Sequence, residues 1–200
     1  MLPIRPFRLR LLMQRFARAE RGATAVEFAL VSLPLLVLVF AILELGLVLL
    51  VITTLDQATQ SAARDVRTGE FQTGLVTPDL TAAGFKALVC SKMTWLQGQC
   101  GSQLVLDMQT FSTFNGLANP PAMAPTAFLP PGNPAHTATC FSPGQPGDIV
   151  LVRAYFDWQL FTPLLNVALD NTGTGYHRLT STTAFRNEPF NGNPPVGAKC

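Results

Sequence analysis

Two carboxylates in this chain stand where carboxylates are costly. Glu27 precedes, and Glu44 interrupts, an almost unbroken apolar run from Phe28 to Leu55. An acid in such surroundings needs a partner and is a functional-site candidate. Glu27 has a second option, to open a helix near its positive dipole end. Five positions before it stands Gly22, in the run Gly22-Ala23-Thr24-Ala25-Val26-Glu27.

The cysteines are the other reactive groups. Cys90, Cys100, Cys140 and Cys200 all follow the apolar run. Four cysteines permit three pairings. Cys90 with Cys100 is favoured because they are close in sequence, and Cys140 with Cys200 because that bond would tie a proline-rich stretch to the C-terminus. A metal site is the rival reading. No cysteine pair has C-x-x-C spacing, and neither His136 nor His177 stands at a familiar ligand interval, so no metal or other cofactor is expected. Asp157, His177 and Ser181 are scattered, and G-x-S-x-G, H-E-x-x-H and P-loop motifs are absent from the sequence. The chain is therefore expected not to be an enzyme, and an anchored hydrolase ranks third among the readings.

These residues must be positioned by a membrane segment. Arg5, Arg8, Arg10, Arg15, Arg18 and Arg21 are offset only by Glu20, whereas the part after Leu55 holds eight Lys or Arg against nine Asp or Glu. Short basic segments beside a membrane span stay in the cytoplasm, so the N-terminus should remain inside and the rest should be exported. Disulfides form in that exported compartment. A nucleic-acid reading of the arginines lacks a recognition helix or aromatic platform to accompany it.

Leu33 to Ile52 contains sixteen Leu, Ile, Val or Phe, which favour insertion by roughly 5 to 10 kcal/mol, against about 2.5 to 3.5 for one central acid. A boundary at Glu27 instead would end the span near Leu47, one turn past Glu44, where the carboxylate could snorkel or pair. A cleaved secretory signal needs a shorter core with a small-x-small site behind it. The nearest match, Ser61-Ala62-Ala63, lies beyond the polar stretch that starts at Thr53, so the segment reads as a retained anchor.

Beyond the membrane, Leu55, Ala58, Ala62 and Val66 keep a helical spacing, and Gly69 stands where a stop is expected. One helix from about Gly22 to Thr68, bent at Pro34, would be about 70 Å long. Ala58, Ala62 and Ala63 suit close packing against a head or another subunit. Pro78 to Val89 reads as a short helix with Leu80, Phe85 and Leu88 inward, weakened by Gly84. Gln103 to Phe111 alternates, with Leu104, Leu106 and Met108 on one face. Asp148 to Leu160 is the clearest strand, with Val150, Val152, Ala154, Phe156, Trp158 and Leu160 on one side and Arg153, Asp157 and Gln159 on the other. Tyr176 to Phe185 is a further strand. Ser112 to Gly147, with eight prolines and four glycines, should be a long surface excursion.

The expected fold is α+β: a long N-terminal transmembrane helix continuing into a head with a small antiparallel sheet covered on one face. Its divisions are a basic cytoplasmic leader (1–22), a transmembrane helix (23–55), a helix extension (56–69) and a head (70–200) carrying the proline-rich loop (112–147).

Arg21-Gly22-Ala23-Thr24-Ala25-Val26-Glu27-Phe28-Ala29-Leu30, with Pro34 and Glu44 following, resembles the N-terminal signature of the TadE/TadG-like proteins of the tight-adherence (Flp) pilus system. Arg186-Asn187-Glu188-Pro189-Phe190 also resembles the TadE group. The resemblance implies a pseudopilin-like fold and a minor pseudopilin of the bacterial inner membrane with a periplasmic head. It implies cleavage between Gly22 and Ala23 by a prepilin peptidase and an assembly role for Glu27. Its expected partners are the inner membrane, that peptidase and other Tad/Flp pilus proteins and pseudopilins, with no nucleic acid. Ala23 departs from the Phe frequent after the cleavage site in type IV major pilins, although it suits the TadE pattern. The alternative is a membrane-anchored periplasmic binding module or adhesin.

Overall fold

The computed structural model describes residues 22–129, 133, 134, 136, 139–162 and 165–191. Apart from Gly22, the basic leader lies outside these residues, and so does Cys200. The chain falls into two compact units, Met1–Leu45 and Gly46–Cys200. Helix α1 (Ala23–Arg67) contributes to both and stays helical through Pro34.

The first unit is the opening part of α1. Val26, Phe28, Leu30, Leu33, Leu36 and Phe40 are all exposed. A helix apolar all round, with its side chains outward, has no stable place in water and fits a lipid environment. Among the described residues, one helix is long and apolar enough to cross a membrane.

The second unit is built on the rest of α1. Val48, Val51, Leu55, Ala58, Ala62 and Val66 form one buried stripe in the core of the head. The three- and four-residue spacing puts them on one face, and the small side chains at 58 and 62 face the head's own core. Glycine stops the helix. Gly69 has φ +84°, a left-handed conformation that costs other residues. The freed carbonyls find partners: Val66 O accepts from Gly69 N and from Gln72 Nε2 (2.9 Å), and Arg67 O accepts from Glu188 N (2.9 Å).

Helix α2 (Ala82–Lys92) starts later than the sequence suggests, because Thr81 caps it by accepting from Gly84 N. Asp79 in turn accepts from the Thr81 hydroxyl and N–H, which hold its pKa below the usual carboxylate range. Phe85 is buried as expected, while Leu80 and Leu88 are only half-buried. Gly84, a poor helix former, is retained by packing: a Cβ there would run into the Asp79 carbonyl. A 3-10 turn (Thr94–Leu96) and α3 (Gln97–Gln103) follow, and a disulfide joins Cys90 of α2 to Cys100 of α3 with Cα atoms 5.6 Å apart.

Strands β1 (Leu104–Phe111), β2 (Ile149–Gln159) and β3 (Tyr176–Arg186) make an antiparallel sheet in the order β1-β2-β3. Leu104, Leu106 and Met108 pair with Phe156, Ala154 and Val152, so these residues share the inner face. Against it lie Phe71, Phe85 and Phe141, with ring centroids 5.5 to 6.1 Å apart.

The outer face corrects the expectation of a sheet covered on one side. Arg153, expected on the mixed face, is buried at 8 % exposure and paired with Asp107, its register partner. The cover comes from the proline-rich segment, which is no simple surface excursion. Its 3-10 turn (Pro125–Phe128) sets the Phe128 ring 5.2 Å from that of Tyr155, with the Arg178 guanidinium 3.5 Å above Phe128. Further along, Met108 N–H donates to Cys140 O, and Ser142 N–H to Met108 O, both at 2.9 Å, so the segment also pairs with the free edge of β1. Prolines prevent regular structure here yet still allow packing. A short helix α4 (Asn166–Leu169) lies in the β2–β3 connection.

Candidate processing and assembly site

Gly22 is the last residue before α1, in a single 3-10 turn, and is exposed. A Cβ added there would meet no atom within 4 Å. The fold therefore makes no demand for glycine at this position. Any intolerance of a larger residue must come from a molecule that binds the segment.

Ala23 begins the helix, and Glu27 follows four residues later, about 6 Å along the axis. Glu27 is exposed among the exposed apolar side chains Val26, Phe28 and Leu30. Among the described residues no side chain covers it, and a carboxylate in apolar surroundings needs a partner.

Glu44 behaves differently. It is buried, at 3 % exposure. Seventeen positions separate it from Glu27, or about 25 Å of helix at 1.5 Å per residue. The two acids belong to separate sites, and Glu44 is not snorkelled into solvent.

The cysteines form no part of either site. Cys90 and Cys100 fasten two helices of the head, and the expected Cys140–Cys200 pair includes a residue outside the described ones. Asp157 is held by Arg178 through two bonds of 2.6 and 2.7 Å, and His177 Nδ1 by the Leu169 carbonyl, so both serve the sheet and its connection.

Sequence reasoning missed a cavity of about 450 Å³ in the head, between α2, the first residues of β1 and the proline-rich segment. Ala82, Lys86, Leu104, Leu106, Phe128 and His136 are among its walls. Burial pulls the pKa of the Lys86 amine down. The one forewarning was Lys86 itself, placed one residue after the inward-facing Phe85.

An exposed apolar helix, long enough to cross a membrane, that runs on into a disulfide-fastened α+β head defines the class. A comparison with protein families finds a similarity over part of the chain. The family model described as TadE-like protein matches residues 22–64, beginning at Gly22 and running almost to the end of α1, and the resemblance read from the residues is borne out over that segment. The part of the head that follows α1 lies outside the match. No curated protein and no solved structure matches the chain.

Proposed function

We propose that the chain is a TadE-like minor pseudopilin that acts in assembly or initiation of the Flp pilus. The observation that carries this reading is the TadE-like match over 22–64, which begins at the candidate cleavage glycine and includes both carboxylates of the apolar helix. The match supports a role associated with the tight-adherence pilus, and its family consists of pilus components rather than enzymes.

In this reading the arginine-rich leader stays in the cytoplasm, α1 spans the inner membrane and the head lies in the periplasm. A prepilin peptidase hydrolyses the Gly22–Ala23 bond. Water supplies a hydroxyl to the Gly22 carboxylate, and Ala23 keeps a new amine that is protonated at neutral pH. The leader's six arginines depart, and one positive charge remains at the head of an apolar helix. Glu27 of one subunit then neutralises the Ala23 amine of a neighbour. Both groups are costly alone in lipid and less so as a pair, so the exposure of Glu27 supports an intermolecular role.

The test is N-terminal sequencing of the protein made beside its cognate prepilin peptidase. The mature chain should begin at Ala23, and Gly22→Leu should abolish processing without loss of fold, since the position has room. An unprocessed wild type, or a processed Gly22→Leu, overturns the cleavage site. Glu27→Ala should be cleaved normally yet leave cells without pili; full piliation would reduce Glu27 to a helix-opening residue.

The second reading, a membrane-anchored binding module or adhesin, is favoured by the head cavity, where Lys86 would meet an anionic group on an otherwise largely apolar ligand. Lys86→Ala should leave piliation intact under the first reading and remove ligand capture under the second.

A further inference from the structure

The aromatic residues of the head mark one of its two ends. β2 begins beside Asp148, whose carbonyl accepts from Asn187 N–H at 2.8 Å, next to the segment that closes α1 at Arg67. Near its end stands Trp158, whose ring lies 6.2 Å from that of Trp95. The Trp95 indole N–H donates to Thr54 Oγ1 at 3.2 Å. The end of β2 thus lies at the level where α1 enters the head, and its beginning lies where α1 stops.

At that level α1 changes character. Val48, Val51 and Leu55 face the core, while Leu49 and Leu50 on the other side are 64 % and 50 % exposed. Thr53 is the first exposed polar residue after them. Beside this transition, Trp95 is 49 % and Phe161 62 % exposed, linked through Trp158, whose ring is 5.7 Å from Phe161. The connection that follows Phe161 also carries Val167, 94 % exposed.

We infer that this end of the head is a lipid-contacting surface, with Trp95 and Phe161 set into the headgroup layer of the leaflet nearest the head. The inference rests on the reading that α1 spans the membrane. The occupant follows from continuity: the aromatic patch extends the apolar surface that α1 itself exposes as far as Leu50. Thr54 lies about 6 Å beyond Leu50 along the helix axis, and the headgroup layer on each side of a bilayer is about 5 to 8 Å thick. Indole rings concentrate in that layer because it solvates an apolar ring and a polar N–H together.

The chain has two tryptophans, so Trp158→Phe leaves Trp95 as its sole indole. The full-length variant is reconstituted into phosphatidylcholine–phosphatidylglycerol vesicles and floated on a density gradient. Trp95 emission should fall by half or more with lipids brominated near the headgroup, fall less with lipids brominated deep in the chains, and resist aqueous iodide several-fold better than free tryptophan amide. Trp95→Phe, reporting on the buried Trp158, should respond weakly to both quenchers. Phe161→Asp in the Trp158→Phe background should weaken shallow quenching and restore iodide access. A chain that floats with the vesicles while Trp95 is open to iodide and blind to brominated lipid overturns the inference and leaves the membrane anchor standing. Shielding from both quenchers means that a protein surface covers the patch, which also overturns it. A chain that fails to float removes the anchor and the inference together.

Discussion

Asp107 and Arg153 face each other across β1 and β2 beneath the proline-rich cover. Asp107 Oδ2 accepts from Arg153 Nε and Nη2 at 2.9 and 2.6 Å, while Oδ1 accepts from Cys140 N–H at 3.3 Å. One carboxylate thus fastens the sheet to the segment that covers it. Removing one member of a buried pair strands the other charge and costs about 3 to 5 kcal/mol. Asp107→Ala should destabilise the head by that amount in urea unfolding, and Asp107→Ala with Arg153→Met should recover part of it; a single-variant loss under about 1 kcal/mol would remove this role. Asp170 organises a different loop. Its pKa is lowered to about 2, chiefly by the Gly175 N–H; desolvation opposes this next, and the Thr172 and Gly173 groups add lesser downward contributions. A folded-state pKa below the unfolded value of about 3.9 stabilises the fold above that pH, and the contribution fades as pH falls toward the folded value. The amide signals of Gly173 and Gly175 should therefore hold steady from about pH 7 to 5 and shift as pH drops from about 4 to 2. Asp170→Asn should show the loosened loop already at neutral pH.

At the scale of elements, the end of α1 depends on Gly69 and on Phe190, whose ring occupies the space that a Cβ at 69 would take. Gly69→Ala meets two penalties, about 1 to 2 kcal/mol for the left-handed backbone and the collision with Phe190. In a Phe190→Ala background the second should disappear, so a double-mutant cycle of thermal unfolding should show clear coupling; additive effects would separate the two residues. The helix itself was legible in the sequence because an apolar run and a 3.6-residue period both point to it, and Gly69 marked its stop. β2 was legible by strict alternation. α2 was placed four residues early because Pro78 is a good helix opener, while Thr81 and Asp79 supply the actual cap. α3 was missed: Gln97-Gly98-Gln99-Cys100-Gly101-Ser102-Gln103 has two glycines and a single core residue, and the bond from Cys100 to Cys90 fastens it. The burial of Arg153 was illegible because its partner Asp107 and its cover lie far along the chain, in a stretch without period. At the candidate processing site, the order Gly22, Ala23, Glu27 could be read directly, whereas the exposure of Glu27 and the burial of Glu44 required the structure.

At the scale of the whole molecule, the arginine block before the helix and the near-neutral balance after it predict one topology. Protease added outside spheroplasts should digest the head and spare an epitope placed before Gly22 in cells lacking the peptidase. Digestion of that epitope would invert the topology and remove the basis for periplasmic disulfides. The segment Arg186 to Phe190 bears on how such a molecule is made. Asn187 bridges to Pro143 and Gln145 through its side chain, Glu188 takes the Arg67 carbonyl and guanidinium, and Phe190 covers Gly69. Synthesis delivers the N-terminal elements first, so the helix that begins the head waits for residues made long after it, Asn187 to Phe190, before its end is closed. A chain halted before Asn187 would carry the whole of α1 but lack the residues that close the helix's end in the head.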